Sequence, residues 1–308
     1  MALHEALSYS DWERALHVIE DRESNAEGDV PGLDEVFGGK LALHVACEHG
    51  APAAIVRRLM AGVPDSASVP AEPCGRLPLH FAVGAGNAAP VESVELLLKA
   101  FGSQGGLAVD ENGRTPLHMA CTNADLCLPE AFDFLLTCAP AAAAAIDRRG
   151  CTPLHLAAGD GMVTQVQRLL ASSPETVDIA DGTSKLPIHW AAMKESPTQV
   201  IELLLKTKPT SISQLDKNGK APLHLIAKNN SKTALEKAEL LLKACPASVN
   251  WQANDGKTPL GTAKAAGRRA LKMSQLLQRY AHPRAPLCSL SCLNSASEAH
   301  PSFDDRTV

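Results

Sequence analysis

The sequence predicts a mainly helical solenoid, in which helix–turn–helix units stack on one another through short hairpin loops. The first observation is that the string Gly-x-x-Pro-Leu-His-x-Ala recurs along the 308-residue chain at a nearly constant interval. The second is the composition, which favours closely packed helices because Ala (48) and Leu (40) are abundant beside only 6 Phe, 3 Trp and 2 Tyr. We therefore expect about seven repeats and an N-terminal helical capping unit.

The repeat string has four near-complete copies and three diverged ones. They occupy residues 39–46, 75–82, 113–120, 150–157, 184–191, 219–227 and 256–263. Six copies place a histidine at the same position, and Gly261 replaces it in the seventh; these histidines are His44, His80, His118, His155, His189 and His224. The intervals between these seven positions are 34 to 38 residues. A weaker copy, 3–6, predicts that residues 1–35 form a helical cap or a diverged repeat.

Each unit contains the local signals of a turn followed by two helices. Asp-x-x-Gly, as in 110–113, is typical of a turn in which Gly adopts a positive φ. Thr-Pro then predicts a helix start, with Thr as N-cap and Pro in the first helical turn. A second helix is predicted by apolar runs such as 200–205, and a following proline ends most of these helices. Leu or Ala in place of the cap Thr should cost about 1 kcal/mol.

The Thr-Pro-Leu-His string is complete at 115–118 and 152–155 and resembles that of the ankyrin repeat family. The resemblance covers about residues 37–283, so we predict an ankyrin repeat array over 36–283. It implies a non-catalytic scaffold for protein–protein interaction. The intervals exceed the family's usual ~33 residues, and the extra residues fall mainly between the two helices, at 85–90 and 123–129.

The histidines and cysteines do not predict a metal centre or an active site. Repeat histidines lie on successive helices roughly 8–10 Å apart, whereas zinc ligands must all lie about 2 Å from the ion. We therefore expect each imidazole to bond the backbone of the neighbouring turn. Cys47 and Cys121 share a repeat position, which indicates small buried residues. No zinc-protease, phosphate-loop or esterase motif is present, so we assign no catalytic, cofactor-binding or metal-binding residue.

The composition limits the remaining possibilities. A formal net charge of −5 gives no reason to expect a nucleic-acid ligand. No segment reaches the roughly 18 apolar residues of a membrane span. Nine cysteines without framework spacing are typical of reduced thiols, so we expect a protein of the cytoplasm or nucleus. We also expect the chain to be monomeric. Residues 284–308 are rich in Ser and Pro and are predicted to be a disordered tail.

The resemblance also implies where a protein partner binds. In this family, partner contacts come chiefly from the two residues inside Asp-x-x-Gly, the residue after that Gly, and the two residues that follow the His-x-Ala-Ala segment. In this chain the corresponding residues are Glu111, Asn112, Arg114, Arg148, Arg149, Lys185, Lys194, Lys217, Asn218, Lys220, Lys228, Asn229 and Lys257. Nine of them are basic, which predicts docking of an acidic or phosphorylated segment; the alternative is that these side chains are merely solvated.

The charge is unevenly divided along the sequence. Residues 1–150 contain 10 Lys and Arg against 21 Asp and Glu, whereas residues 151–308 contain 19 against 13. Because position along a solenoid follows position in sequence, we expect an acidic end and a basic end.

Other functions stay open at this stage. One is a substrate-recruiting or targeting adaptor whose tail engages a second factor, and a more remote one is an enzyme that uses the His and Cys positions. The basic segment 271–280 is either the last helix of the array or a calmodulin-like target.

Overall fold

A computed structural model of the chain describes residues 2–24, 33–34, 36–84, 89–102, 104–122, 128–229 and 231–281. It divides into two compact units, an N-terminal unit (Met1–Ser211) and a C-terminal unit (Ile212–Val308). The predicted tail, 284–308, and parts of the two long loops, 85–88 and 123–127, lie outside the described residues. No described helix is long and apolar enough to cross a membrane.

The N-terminal unit is built from paired helices. The first helices of its pairs are α1 (Ala2–Ser8), α3 (Ala42–Glu48), α5 (Pro78–Gly84), α7 (Pro116–Ala120), α9 (Pro153–Asp160) and α11 (Pro187–Met193). The second helices are α2 (Trp12–Ser24), α4 (Ala53–Gly62), α6 (Val91–Phe101), α8 (Pro129–Cys138), α10 (Val163–Ser172) and α12 (Thr198–Thr207). Each helix packs on the equivalent helix of the next pair, so the unit has two layers.

The C-terminal unit repeats this arrangement with two pairs. Its helices are α13 (Pro222–Ile226), α14 (Lys232–Ala244), α15 (Pro259–Ala265) and α16 (Leu271–Ala281). Helix α13 packs on α15, and α14 packs on α16. The basic segment 271–280 is therefore a helix of the array whose apolar face is covered, since Met273, Leu276 and Leu277 are buried.

Small residues explain how the first helices approach so closely. The alanine that ends each repeat string is buried, for example Ala46, Ala120 and Ala157. The leucine that precedes the histidine is buried too, as in Leu117 and Leu154. Since Ala occupies little space, neighbouring helices pack at short distance around these leucines. The abundance of Ala and Leu thus reflects a core in which each repeat contributes equivalent buried Ala and Leu side chains.

Proline ends most second helices, as predicted. Helices α4, α8, α10, α12 and α14 each end two residues before a proline, which lacks the N–H that would continue the helix. In every case that proline begins a short 3₁₀ helix: Pro64–Ser68, Pro140–Ala144, Pro174–Asp178, Pro209–Ser213 and Pro246–Asn250. Pro283, the sixth proline predicted to end a helix, lies outside the described residues.

The Asp-x-x-Gly turns use glycine for its backbone conformation. Gly113, Gly150 and Gly219 have φ values of +74°, +76° and +69°. A Cβ at Gly150 would also lie 2.7 Å from the backbone nitrogen of Gly182 in the next turn. The fifth turn has Ser184 instead, and this serine adopts φ +59°. Its Cβ makes that conformation unfavourable by roughly 1–2 kcal/mol.

We expect Ser184→Gly to raise the free energy of unfolding by about 0.5–1 kcal/mol, because it relieves a left-handed residue but adds freedom to the unfolded chain. Urea unfolding followed by circular dichroism measures the change. Gln167→Gly is the matched control, since Gln167 is exposed in the middle of α10, and this change should destabilise by about 0.7–1 kcal/mol. A Ser184→Gly protein that is less stable than the parent would contradict the explanation.

The predicted fold class is confirmed: the described residues form a mainly helical repeat solenoid, in which only isolated bridges such as Ala71–Arg76 have β pairing. The assignment of 1–35 as a separate cap stays a prediction. Helices α1 and α2 nevertheless pack on α3 and α4 as later pairs do, and His4 Nε2 lies 3.3 Å from the Lys40 carbonyl oxygen.

Candidate functional site

The turns that precede α7, α9, α11 and α13 are each held rigid by their own aspartate. In Asp110, Oδ1 accepts hydrogen bonds from the backbone N–H groups of Asn112 (2.8 Å) and Arg114 (2.9 Å). The aspartates at 147, 181 and 216 make the same pair of bonds to residues two and four positions later. Burial opposes ionisation of Asp110, yet these N–H groups and the Arg76 side chain lower the pKa of its carboxyl. The turn side chains therefore project from a fixed backbone.

Adjacent turns are also bonded to each other through the backbone. Arg148 donates its N–H to the Asn112 carbonyl at 2.9 Å, and Gly182 donates to the Arg149 carbonyl at 2.8 Å. In the C-terminal unit, Asn254 donates to the Asn218 carbonyl at 3.0 Å. These bonds use only backbone groups and leave the side chains of Asn112, Arg148, Arg149 and Asn218 exposed.

Five repeat histidines join their own repeat to the backbone that leads into the next repeat, as predicted. In His118, Nδ1 accepts the N–H of Thr115 at 3.2 Å, so the neutral ring carries its proton on Nε2, which lies 2.9 Å from the Cys151 carbonyl oxygen. His44, His80, His155 and His224 make the same two kinds of contact. The imidazole therefore has a structural role in five repeats.

The bond from the N-cap N–H to histidine Nδ1 also matters in repeats that have Leu or Ala in place of the cap threonine. Thr115 accepts from the His118 N–H at 3.4 Å, and Thr258 accepts from Gly261 at 3.1 Å. Leu41 and Ala221 have no side-chain cap bond, yet their N–H groups still donate to the histidine three residues later. The histidine thus supplies one half of the capping interaction whether or not threonine is present.

Three of the cysteines are deeply buried. Cys47, Cys121 and Cys151 have at most 1% of their surface exposed. Burial raises the pKa of the Cys47 thiol and raises that of Cys151 to about 11. Since the thiolate is the reactive form, these thiols are poor nucleophiles. Within the part of the chain that the structure describes, no three His, Cys, Asp or Glu side chains converge as a metal site would require.

The predicted partner-binding residues lie on the turns before the first helices and just after the ends of α11 and α13. In the N-terminal unit, Glu111, Asn112, Arg148, Arg149 and Lys194 are exposed, and Arg114 and Lys185 are partly exposed. Arg114 Nε lies 3.9 Å from Asp147 Oδ2, so this guanidinium serves the contact between turns. In the C-terminal unit, Lys217, Asn218, Lys228 and Lys257 are exposed, and Lys220 and Asn229 are partly exposed.

Four lysines of the C-terminal unit, Lys217, Lys220, Lys228 and Lys257, form what we call the lysine surface. Three of them, Lys220, Lys228 and Lys257, line a shallow cavity of about 280 Å³. Lys257 pairs with Asp255 at 3.4 Å. For Lys217, Lys220 and Lys228, no ion pair is found among the described residues. The surface therefore has three cations that could meet an external anion.

A second surface brings together Arg148, Arg149, Lys185 and Lys194, four of the predicted partner-binding residues, around a tryptophan that the sequence prediction did not select. We call it the Trp190 groove: a cavity of about 550 Å³ in the N-terminal unit, bounded by Arg148, Arg149, Thr183, Lys185, Met193 and Lys194, with Trp190 and Asp181 at its base. The Trp190 indole donates from Nε1 to Asp181 Oδ2 at 3.0 Å. Trp190 occupies the variable position of His-x-Ala, where Phe81, Met119 and Leu156 are buried. An indole at that position was the sequence signal that could have indicated the groove.

Rigid turns with exposed side chains, and buried histidines that bond the backbone, define a helical repeat protein. Family models for ankyrin repeats match residues 43–142, 149–181 and 188–285. The chain belongs to the ankyrin repeat family, as the sequence resemblance predicted. Ankyrin repeats are generally protein–protein interaction modules, and proteins built from them are typically non-catalytic.

A curated relative shares part of the array. The ankyrin repeat domain-containing protein SAT10 of Stachybotrys chartarum (strain CBS 109288 / IBT 7711) is 35% identical over 72 residues. The match covers 23% of this chain and 4% of that protein.

Proposed function

We propose that the chain is a non-catalytic scaffold that binds a partner protein on its turns and first helices, and that the lysine surface docks an acidic or phosphorylated segment. The observation that carries the proposal is that Lys220 and Lys228 line one cavity and that they, like Lys217 in the same turn as Lys220, have no ion pair among the described residues. Anionic side chains or phosphates would gain charge-assisted hydrogen bonds there.

Preorganisation supports the same proposal. The Asp216 carboxylate holds the N–H groups of Asn218 and Lys220 at 2.8 and 2.9 Å, so the turn between them is already ordered. A partner that docks on an ordered turn loses less conformational entropy than one that must order it. A monomeric state, the absence of a nucleic-acid ligand and a cytoplasmic or nuclear location stay predictions of the sequence.

The charge-reversal variant Lys217→Glu, Lys220→Glu and Lys228→Glu tests this function. Partners are captured from cell lysate on the immobilised full chain and quantified by mass spectrometry. We expect at least a tenfold loss of the main captured proteins, because three attractive contacts become repulsive. Capture by the parent protein should also decrease as salt rises.

The matched control replaces the same three lysines by arginine, which keeps the charge and should keep capture. Circular dichroism shows whether both variants are folded. If the folded Glu variant captures the same proteins in the same amounts, the lysine surface is not the docking site.

A further inference from the structure

The Trp190 groove combines a fixed aromatic ring with surrounding cations. The Trp190 ring is partly exposed, and it is held by Asp181 through Nε1 and by an edge-on contact with His155 at 6.2 Å between ring centroids. The Arg149 guanidinium carbon lies 5.1 Å from the indole centroid, and Lys194 Nζ lies 5.5 Å from it. Since cations over an indole face are attracted to it, the groove is ordered before any ligand arrives.

A single substitution in the repeat pattern explains why Asp181 is available to Trp190. In the second and third repeats the residue after the turn glycine is arginine, and its Nε lies near Oδ2 of the next aspartate: Arg76 is 3.3 Å from Asp110, and Arg114 is 3.9 Å from Asp147. The fourth repeat has Cys151 at this position, which brings no cation to Asp181. Oδ2 of Asp181 therefore accepts from the indole instead.

The charges of the groove favour an anionic ligand. Four cations border it, whereas the Asp181 carboxylate is occupied by Trp190, by the Thr183 hydroxyl and by two backbone N–H groups. Lys194 pairs with Asp160, beyond the groove lining. No ion pair involves Arg148 or Arg149 in the described part of the chain. Guanidinium groups bind carboxylates with two parallel hydrogen bonds, so these arginines suit a carboxylate.

The other half of the groove is apolar. Met193, at the end of α11, is 52% exposed although it is a large hydrophobic residue. It lines the same cavity as the Trp190 ring. A methionine and an indole side by side form an adaptable apolar surface of the kind that anchors one large side chain of a partner.

We propose that the Trp190 groove binds a linear protein segment in which an Asp or Glu carboxylate neighbours a large apolar side chain. The carboxylate meets Arg148 and Arg149, and the apolar side chain packs on Trp190 and Met193. The proposal rests on the proposed protein-binding function, but it concerns the N-terminal unit and different residues, so the two proposals can fail separately.

Selection from a library of random 12-residue peptides displayed on phage, with the immobilised full chain as bait, tests the chemistry. We expect enrichment of peptides in which Asp or Glu lies within two residues of Phe, Leu, Met or Trp. Synthetic versions of the enriched peptides are then titrated with each variant by fluorescence anisotropy. No enrichment of such pairs over the input library would overturn the proposal.

Two variants separate the groove from a general charge effect. Trp190→Ala removes the apolar floor, and we expect at least a tenfold rise in Kd. Cys151→Arg restores the arginine of the second and third repeats, which should pair with Asp181, displace the indole and also raise Kd at least tenfold. Because Cys151→Arg adds a positive charge, unchanged or tighter binding would show that charge alone suffices and would overturn the proposal.

Control variants define the site and the ligand. Lys232→Ala, at a lysine that is 91% exposed in the C-terminal unit, and the Glu variant of the lysine surface should both bind the peptides as the parent does. Loss of binding in either would place the peptide outside the groove and overturn the assignment. If replacement of the peptide carboxylate by phosphoserine tightens binding tenfold or more, the carboxylate assignment is wrong.

Discussion

Acidification from about pH 7.5 to pH 4.5 is expected to unfold the N-terminal unit, because its buried histidines resist protonation. Burial lowers the pKa of His44 and of His80 from 6.5 to about 4, although bonds to the Val69 and Arg114 carbonyls partly offset this effect. The pKa values of His118 and His155 are lowered in the same direction for the same reason. All four rings therefore stay neutral in the folded unit at pH values where free histidine is charged.

The direction of the pH effect follows from proton binding. Between pH 6.5 and pH 4 the unfolded chain binds protons on His44 and His80, whereas the folded chain does not. Stability is complete above about pH 6.5 and is lost as the pH falls towards 4. A shift from 6.5 to about 4 corresponds to about 3 kcal/mol for each of these two histidines. Two such losses are comparable to the whole stability of a domain, about 5–15 kcal/mol.

Urea unfolding at several pH values measures this loss. His80→Asn is the informative variant, because it removes one titrating ring while its side-chain oxygen is able to accept the Leu77 N–H bond. Between pH 6.5 and 4, unfolding of the variant takes up about one proton fewer than unfolding of the parent. We therefore expect its free energy of unfolding to fall by about 1.4 kcal/mol less per pH unit. Protonation of Asp110 and Asp181, whose pKa values are lowered, decreases the free energy of unfolding further only at lower pH. A urea midpoint that is constant from pH 7.5 to 4.5 would contradict the explanation.

His118→Ala is expected to destabilise the N-terminal unit by about 3–5 kcal/mol. The change leaves the Thr115 N–H and the Cys151 carbonyl without the ring that bonds both, and each unsatisfied buried group costs about 1–3 kcal/mol. It also leaves a cavity where the fully buried ring was. Urea unfolding at about pH 7.5, where the ring is neutral, isolates this effect from protonation.

Two further variants make the histidine experiment specific. His118→Asn keeps an acceptor near the Thr115 N–H but does not reach Cys151, so we expect roughly half of the loss. His17→Ala is the matched control, because the His17 side chain is 76% exposed in α2 and its Nδ1 lies 3.0 Å from Asp21 Oδ2. If His118→Ala costs no more than His17→Ala, the cross-repeat bonds contribute little to stability.

The fold was predictable because each of its signals acts locally and recurs. Turn glycines, cap residues and helix-ending prolines act over a few residues. Each would be a weak signal if it occurred once, but together they recur in successive repeats. The part played by the histidines also followed from geometry, since equivalent residues of stacked helices cannot converge on one metal ion.

The binding surfaces were less predictable, since a surface depends on residues that meet across repeats. The position rule selected Arg149 and Lys194 as partner-contacting positions, but it did not indicate that both lie over Trp190. It also placed Arg114 among the partner contacts, although its guanidinium lies near Asp147. Asp181 is able to accept the Trp190 hydrogen bond because residue 151, thirty positions earlier, is Cys and not Arg. No local sequence pattern indicates that these two positions are coupled.

The histidine bonds also give the array a direction. Within each unit, a repeat offers an Nε2–H donor to its C-terminal neighbour and a backbone carbonyl to its N-terminal neighbour, as His118 and Cys151 do. The two faces of a repeat are therefore chemically different, and a repeat cannot be inserted in reverse. Gly261 occupies the position of the donor histidine in the seventh repeat. That repeat therefore accepts a hydrogen bond from His224 but has no imidazole there to donate to a following repeat. Grafting a further repeat after α16 would require Gly261→His, whereas a repeat that replaced α1 and α2 before α3 would need only its own histidine.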